Sequence, residues 1–108
     1  MFLQIEDFLS AAEVESILLR REDIAQVALV AVPDERLGEV GAAFAVPRPG
    51  MSPDPAEIVA WSRDHMANFK APRFVFLVDS LPTNPSGKIL KPELRSRAAT
   101  LVEAGETA

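Results

Sequence analysis

Two short apolar runs separated by a turn place the strongest constraint on the fold of this chain. Residues 24–32 and 40–46 are rich in β-branched and small apolar side chains, and Pro33-Asp34 stops the first run. Runs of this length and composition favour buried strands over helices. The connector, residues 33–39, has turn chemistry at both ends. Pro33-Asp34 opens it, and Gly38 near its other end can adopt a positive φ. These features predict an antiparallel β-hairpin.

Capping and periodicity signals predict three helices around this hairpin. The predicted helices are residues 11–21, with Ser10 and Glu13 as a capping box; residues 55–67, with Asp54 as N-cap, Pro55 at the first position and Glu57 completing a second capping box; and residues 92–102, with Pro92 in the first turn. In the second helix, Ile58, Trp61 and Met66 share one stripe and are expected to pack in the core. His65 is expected to be a hydrogen-bonded structural residue at the edge of that stripe.

Arg73 to Asp79 is the candidate for a third strand, and residues 47–55 hold four of the nine prolines, which predicts an irregular surface loop. Strands that alternate with helices without strict βαβ spacing predict an α+β fold. We expect a small antiparallel or mixed three-stranded sheet packed with about three helices. At 108 residues the chain has the size of one domain, spanning residues 1–108 with a frayed tail at 105–108.

Composition excludes several classes of function. The chain has no cysteine and one histidine, so neither a disulfide nor an intrinsic metal site is expected. A net charge of −5 argues against nucleic-acid binding. No apolar run approaches the roughly 18 residues that span a bilayer, and no signal peptide is evident, so the expected compartment is the cytoplasm. Between Lys70 and Arg97, however, the sequence has six basic residues and only two acidic ones. This excess of positive charge makes the C-terminal third of the chain the natural place for an anion to bind.

The segment with chemical character runs from Leu81 to Arg95, where two prolines stiffen a loop that ends in Gly87-Lys88. A glycine permits close backbone approach to a ligand, and an ammonium on a flexible stem suits phosphate or carboxylate oxygens. The loop is not a nucleotide P-loop, because Ile89 follows the lysine and the earlier glycine of that pattern is absent. No nucleophile and base can be paired here. On spacing alone, a solvated surface lysine is the plainer interpretation of Lys88.

Four sequence elements, taken together and in order, resemble one family over about residues 1–97. They are Glu13-Val-Glu15, Val30 to Asp34 with Gly38-Glu39, Phe69 to Arg73, and the loop through Lys88. This order resembles the C-terminal domain of the adenylate-forming superfamily of acyl-CoA synthetases, peptide-synthetase adenylation domains and luciferases. The resemblance implies a lid that rotates between two poses. One pose makes an acyl-adenylate from an acid and ATP, and the other passes the acyl group to a thiol.

The resemblance also implies roles for individual residues. Lys88 matches the catalytic lysine of the family, which contacts the substrate carboxylate and the α-phosphate region of ATP. Pro85, Ser86 and Gly87 would form the loop that faces substrate and nucleotide. Gly38-Glu39 matches a possible thiol-transfer face, although a hairpin turn with a polar flank explains this pair equally well. Lys70, Arg73, Lys91, Arg95 and Arg97 are expected to form a solvated basic face.

An isolated lid would be an incomplete enzyme. The family's ATP and acyl pockets belong to a large N-terminal adenylation domain, which would act with this chain in cis or in trans. ATP with Mg²⁺ and CoA are implied for the complete enzyme, and no cofactor is expected on the isolated chain. A lid without its partner would expose its docking surface, which invites a homodimer. An alternative is a non-catalytic remnant lid that acts as an interaction or regulatory module. The bulky, acidic stretch Gln4 to Phe8 favours this alternative, because the family has small residues there.

Overall fold

One three-stranded sheet, formed by the apolar runs, organises the chain. The computed structural model describes residues 4–34, 38–66 and 71–103, with the backbone alone for residues 4–10. The described elements, in chain order, are α1 (Gln4–Leu18), β1 (Ile24–Asp34), β2 (Gly38–Pro47), α2 (Pro55–His65), β3 (Phe74–Leu77) and α3 (Lys91–Glu103). The strands lie in the order β1-β2-β3. The predicted α+β class, a mixed three-stranded sheet with three helices, is confirmed for these residues.

β1 and β2 form the predicted antiparallel hairpin. Their pairing continues to Pro33 opposite Glu39 and Asp34 opposite Gly38, so both strands extend further than the apolar runs alone predict. Gly38 has a φ of 85°, in the left-handed region that favours glycine. The hairpin connection at residues 35–37 lies outside the described residues.

β3 lies parallel to β2, with Phe74 opposite Ala42 and Leu77 opposite Ala45. Parallel neighbours require a crossover connection, and the segment that contains α2 supplies it. β3 is shorter than the predicted strand at 73–79, because pairing with β2 ends at Leu77 and only one further bond, from Val78 N–H to the Ala45 carbonyl, follows.

The start of α2 confirms one predicted signal and corrects another. Asp54 is the N-cap, where its Oδ1 accepts a hydrogen bond from the Ala56 N–H at 3.1 Å, and Pro55 is the first helical residue. Glu57 does not complete a capping box, because both of its carboxylate oxygens accept from the Arg21 guanidinium. The helix ends at His65, and the predicted end at residue 67 lies outside the described residues.

The predicted start of the first helix is wrong. α1 begins at Gln4, and Ser10 lies inside it, so Ser10 and Glu13 do not cap its N-terminus. Residues 4–9 contain neither proline nor glycine, so the backbone chemistry allows the helix to begin earlier. α3 agrees with its prediction to within one residue at each end, and residues 48–54 form the predicted irregular loop. No described helix has the length and apolar character needed to cross a membrane.

Side chains from the two faces of the sheet enter two hydrophobic clusters. The first cluster joins α1 and α2 to one face and contains Val14, Leu18, Ile24, Val27, Leu29, Ala43, Ala45, Ile58 and Val75. The second joins α3 to the other face and contains Ala28, Val30, Val32, Ala42, Phe44, Leu81, Leu94 and Ala98. Alternate residues of β1 and β2 therefore point to opposite cores. A sheet that is covered on both faces explains why residues 27–32 of β1 and 40–46 of β2 are apolar at every position.

The predicted core stripe of α2 is confirmed. Ile58 is fully buried, and Trp61 and Met66 are half-buried against the first cluster. His65 is exposed, with its ring stacked on Trp61 at 4.0 Å between centroids, and its Nδ1 is 2.8 Å from the Trp61 carbonyl oxygen. His65 is thus a hydrogen-bonded residue at the edge of the stripe, as expected.

Candidate functional site

Residues 82–90, which we call the Lys88 loop, form a narrow arm between β3 and α3. Thr83 and Ile89 pair as an isolated antiparallel bridge, and the Leu90 N–H donates to the Pro82 carbonyl at 2.9 Å. Leu81 is buried in the second hydrophobic cluster, and Ile89 packs against that cluster. The base of the arm is therefore paired across its two sides and anchored in the core.

The tip of the arm is a tight turn at residues 84–87. The Gly87 N–H donates to the Asn84 carbonyl at 2.8 Å, and Gly87 has a φ of 90°. Asparagine first, proline second and glycine fourth are the residues that a type I turn prefers, so this signal could have predicted the turn from sequence. A Cβ at Gly87 would meet no atom within 4 Å, so the backbone conformation rather than space requires glycine there.

Lys88 follows this turn and is exposed. Among the described residues its ammonium makes no hydrogen bond or ion pair. Pro85, Ser86 and Gly87 are also exposed, so the fold brings the predicted substrate-facing residues together at one tip. The arrangement can present a single positive charge to an anion outside the domain.

Gly38 and Glu39 lie at a different end of the sheet. Both are exposed at the start of β2, beside the end of β1. β3 runs parallel to β2 and ends beside Ala45, so the chain leaves the sheet towards the Lys88 loop at the end of β2 opposite to Gly38. The two predicted sites therefore belong to separate elements at opposite ends of β2.

The expected basic face is only partly a solvated surface. Arg73, Arg95 and Arg97 are exposed. Lys91 is half-buried, and its Nζ lies 2.7 Å from the Glu15 carboxylate, which corrects the interpretation of this lysine as a solvated charge. Lys70 lies outside the described residues.

Glu15 is a structural residue that the sequence interpretation missed, although it lies in the Glu13-Val-Glu15 element. Its Oε2 accepts a hydrogen bond from the Leu29 N–H of β1 at 2.7 Å and a second from the Lys91 ammonium at 2.7 Å. β1 is an outer strand of the sheet, and an outer strand has backbone groups without a strand partner. Glu15 therefore joins α1, the edge of the sheet and the first residue of α3, which directly follows the Lys88 loop.

Arg21 forms a second junction, between the end of α1 and α2. Its guanidinium makes two hydrogen bonds with Asp23, at 2.8 and 2.9 Å, and two with Glu57, at 2.6 and 3.2 Å. It also lies over the Trp61 ring, 5.2 Å from the centroid. The hydrogen bonds that Arg21 donates to Asp23 and Glu57 raise the pKa of Arg21, and those that Asp23 accepts from Arg21 lower the pKa of Asp23. The charges of Arg21, Asp23 and Glu57 are all paired within this cluster, so its role is to join α1 to α2.

Comparison with known proteins identifies the family. The family model described as the AMP-binding enzyme C-terminal domain matches residues 13–88. A 3-[(3aS,4S,7aS)-7a-methyl-1,5-dioxo-octahydro-1H-inden-4-yl]propanoyl:CoA ligase from Mycobacterium tuberculosis is 55% identical over 84 residues, which is 78% of this chain and 17% of that protein. A feruloyl-CoA synthase from an Amycolatopsis species is 46% identical over 80% of this chain and 18% of its own length.

Solved structures agree with this assignment. ATP-bound MatB from Rhodopseudomonas palustris superposes with a TM-score of 0.79 at 30% identity, over 84% of this chain and 18% of that one. The chain therefore spans less than a fifth of the length of these relatives. The match to the family model, residues 13–88, covers most of this chain and includes both Glu15 and Lys88. The chain belongs to the family of AMP-binding enzyme C-terminal domains.

Proposed function

We propose that this chain is the lid of an AMP-forming acyl-CoA ligase, and that Lys88 supplies positive charge for acyl-adenylate formation from a carboxylic acid and ATP. The observation that carries the proposal is the Lys88 ammonium, which is exposed on an arm whose base is anchored in the core. The similar acyl-CoA ligases support the reaction class. The chain would act only with a large N-terminal domain, in cis or in trans.

The proposed step is electrostatic. A carboxylate oxygen of the acid attacks the α-phosphorus of ATP and forms a new P–O bond. The bond from that phosphorus to the bridging oxygen of pyrophosphate breaks, and pyrophosphate leaves with the electron pair. Two anions must approach each other, and negative charge shifts onto the leaving group, so an ammonium beside the reacting atoms stabilises the transition state. No proton transfer is needed, and Lys88 acts as a charge rather than as a base.

The rest of the active site would come from the partner domain. ATP with Mg²⁺, the acid and CoA are substrates of the complete enzyme under this proposal. Among the described residues no three His, Cys, Asp or Glu side chains could hold a metal ion together, so no step is assigned to a metal held by this chain. The proposed role of the chain is to close over the partner's nucleotide and deliver Lys88.

A chimera tests the proposal. This chain would replace the C-terminal domain of the M. tuberculosis ligase, the relative that is 55% identical to it. Pyrophosphate release would be followed with ATP, Mg²⁺ and the acid that corresponds to that ligase's acyl group. We expect the chimera to be active, and Lys88→Ala to lower the adenylation rate by about 100-fold or more. A second arm would mix the intact chain with the lid-deleted ligase and so test action in trans.

Two controls sharpen the result. Arg63→Ala removes one exposed positive charge from α2 and should leave the rate within about twofold, because surface substitutions have small effects. Thioester formation from a preformed acyl-adenylate and CoA should be much less sensitive to Lys88→Ala than pyrophosphate release is. An active chimera that is indifferent to Lys88 would refute the role of the lysine.

The non-catalytic alternative makes the opposite prediction. An interaction module would not restore pyrophosphate release in cis or in trans, with or without Lys88. The proposed homodimer is a separate question, and light scattering coupled to size-exclusion chromatography would answer it. A monomer at all concentrations would exclude self-association through the exposed docking surface.

A further inference from the structure

The side chain of Asn84 is the centre of the turn that carries Lys88. Its Oδ1 accepts three hydrogen bonds, from the Ser86 N–H at 3.0 Å, the Ser86 hydroxyl at 2.8 Å and the Lys88 N–H at 2.9 Å. Asn84 is half-buried, whereas the four residues that follow it are exposed. One carboxamide oxygen thus organises an exposed segment that has no other side-chain support among the described residues.

The backbone of Asn84 completes the restraint. Its N–H donates to the Lys88 carbonyl at 2.9 Å, and its carbonyl accepts from the Gly87 N–H at 2.8 Å. Both peptide groups of Lys88 are therefore held by one residue, the N–H by the side chain of Asn84 and the carbonyl by its backbone. Asn84 itself directly follows Thr83, which pairs with Ile89 at the base of the arm. The backbone of Lys88 is fixed in this way, while its side chain extends into solvent.

We propose that Asn84 is a positioning residue for Lys88, so that its carboxamide oxygen sets where the ammonium is delivered during adenylation. This inference rests on the proposed function. The turn is exposed, so without Oδ1 its three donors would bond to water and the segment would sample other conformations. A displacement of about 1 Å in a group that acts on the reacting atoms can lower a rate by about 100-fold.

The chimera described above tests this inference with Asn84→Ala and Asn84→Asp, and Arg63→Ala serves as the control. We expect Asn84→Ala to lower kcat for pyrophosphate release by about tenfold and to leave KM for ATP within about twofold. Asn84→Asp keeps an oxygen acceptor at the same place and should recover part of the rate, because the acceptor is restored while the added negative charge opposes that of the Lys88 ammonium. Arg63→Ala, on the exposed side of α2, should lie close to wild type.

A double-mutant comparison separates positioning from folding. If Asn84 acts through Lys88, adding Asn84→Ala to Lys88→Ala should cause almost no further loss, whereas a purely structural effect would remain in full. On the 108-residue chain, Asn84→Ala should also speed amide hydrogen exchange at Ser86 and Lys88, with exchange in β1 and β2 unchanged. If Asn84→Ala does not fold, Asn84→Gln moves the carboxamide oxygen by one methylene and should show the same loss.

The outcomes distinguish the two proposals. Wild-type kinetics for Asn84→Ala, beside a large loss for Lys88→Ala, would overturn the positioning role and leave the proposed function standing. A loss that persists in full in the Lys88→Ala background would also overturn positioning. Indifference to Lys88→Ala itself would overturn the proposed function and this inference together.

Discussion

Replacing Glu15 by alanine should destabilise the domain more than the same substitution at an exposed glutamate. The substitution removes the acceptor of the Leu29 N–H and the partner of the Lys91 ammonium. A glutamine at this position keeps an oxygen acceptor without the charge. Lys91→Ala removes only the ion pair and leaves the bond to Leu29. These three variants therefore separate the hydrogen bond to the sheet edge from the ion pair.

The geometry sets the expected magnitudes. A hydrogen bond to a charged group contributes about 1.5–3 kcal/mol. The ion pair is partly exposed, with side-chain exposures of 34% for Lys91 and 21% for Glu15, so its share is about 0.2–1 kcal/mol. We therefore expect a loss of about 2–3 kcal/mol for Glu15→Ala, about 1 for Glu15→Gln and about 0.5 for Lys91→Ala.

Urea unfolding at pH 7 would measure these losses through the fluorescence of the single tryptophan, Trp61, which packs against the first cluster. An exposed glutamate, Glu22→Ala, is the matched control and should change the free energy of unfolding by no more than about 0.5 kcal/mol. Raising the salt concentration should weaken the effect of Lys91→Ala more than that of Glu15→Ala. Equal losses for Glu15→Ala and Lys91→Ala would refute the role assigned to the bond with Leu29.

Three further predictions concern other sites. Asp23→Asn should destabilise the fold at neutral pH by an amount that shrinks as the pH falls, because the bond to Arg21 lowers the Asp23 pKa and the stability it gives is lost as pH falls through that pKa; urea unfolding at a series of pH values from 7 downwards tests this. Gly87→Ala should strain the tip by about 1–2 kcal/mol, because φ is 90°, and should slow pyrophosphate release in the chimera. If Gly38-Glu39 is the thiol-transfer face that the family resemblance implies, Glu39→Ala should slow thioester formation by about tenfold, which is about 1.4 kcal/mol of activation free energy, and should have little effect on pyrophosphate release; an unchanged thioester rate would favour the hairpin-turn interpretation.

Local chemistry predicts much of this fold. Residues 27–32 are apolar at every position because both faces of β1 are covered there, and Pro33-Asp34 directly follows them at the end of the strand. Asp54 and Pro55 predict the first turn of α2 because a cap and a fixed φ act within two or three residues. The exposure of Lys88 also follows from the loop that carries it.

Contacts between distant residues explain the failures. Glu57 has capping-box spacing, but Arg21, 36 residues away, engages its carboxylate instead. Lys91 resembles a solvated lysine until Glu15, 76 residues away, is placed beside it. Asn84 is a different case, since its partners lie within four residues and the turn preference was readable. The convergence of three donors on the Asn84 Oδ1, however, depends on side-chain geometry that the spacing of residues in the sequence does not give.

The restraints on the Lys88 loop suit the proposed role of Lys88, in which its charge acts on a nucleotide held by another domain. Leu81 anchors one side of the loop in the core, and Lys91 ties the other side to α1 through Glu15. Ordering the backbone of a residue costs about 1–2 kcal/mol, and here that cost is met when the domain folds. Only the side chain of Lys88 would lose freedom on meeting an anion, at up to about 2 kcal/mol. If the loop backbone became ordered only on docking, each closure would also cost the conformational entropy of ordering it. We therefore expect the anchored arm to favour rapid and repeatable closure.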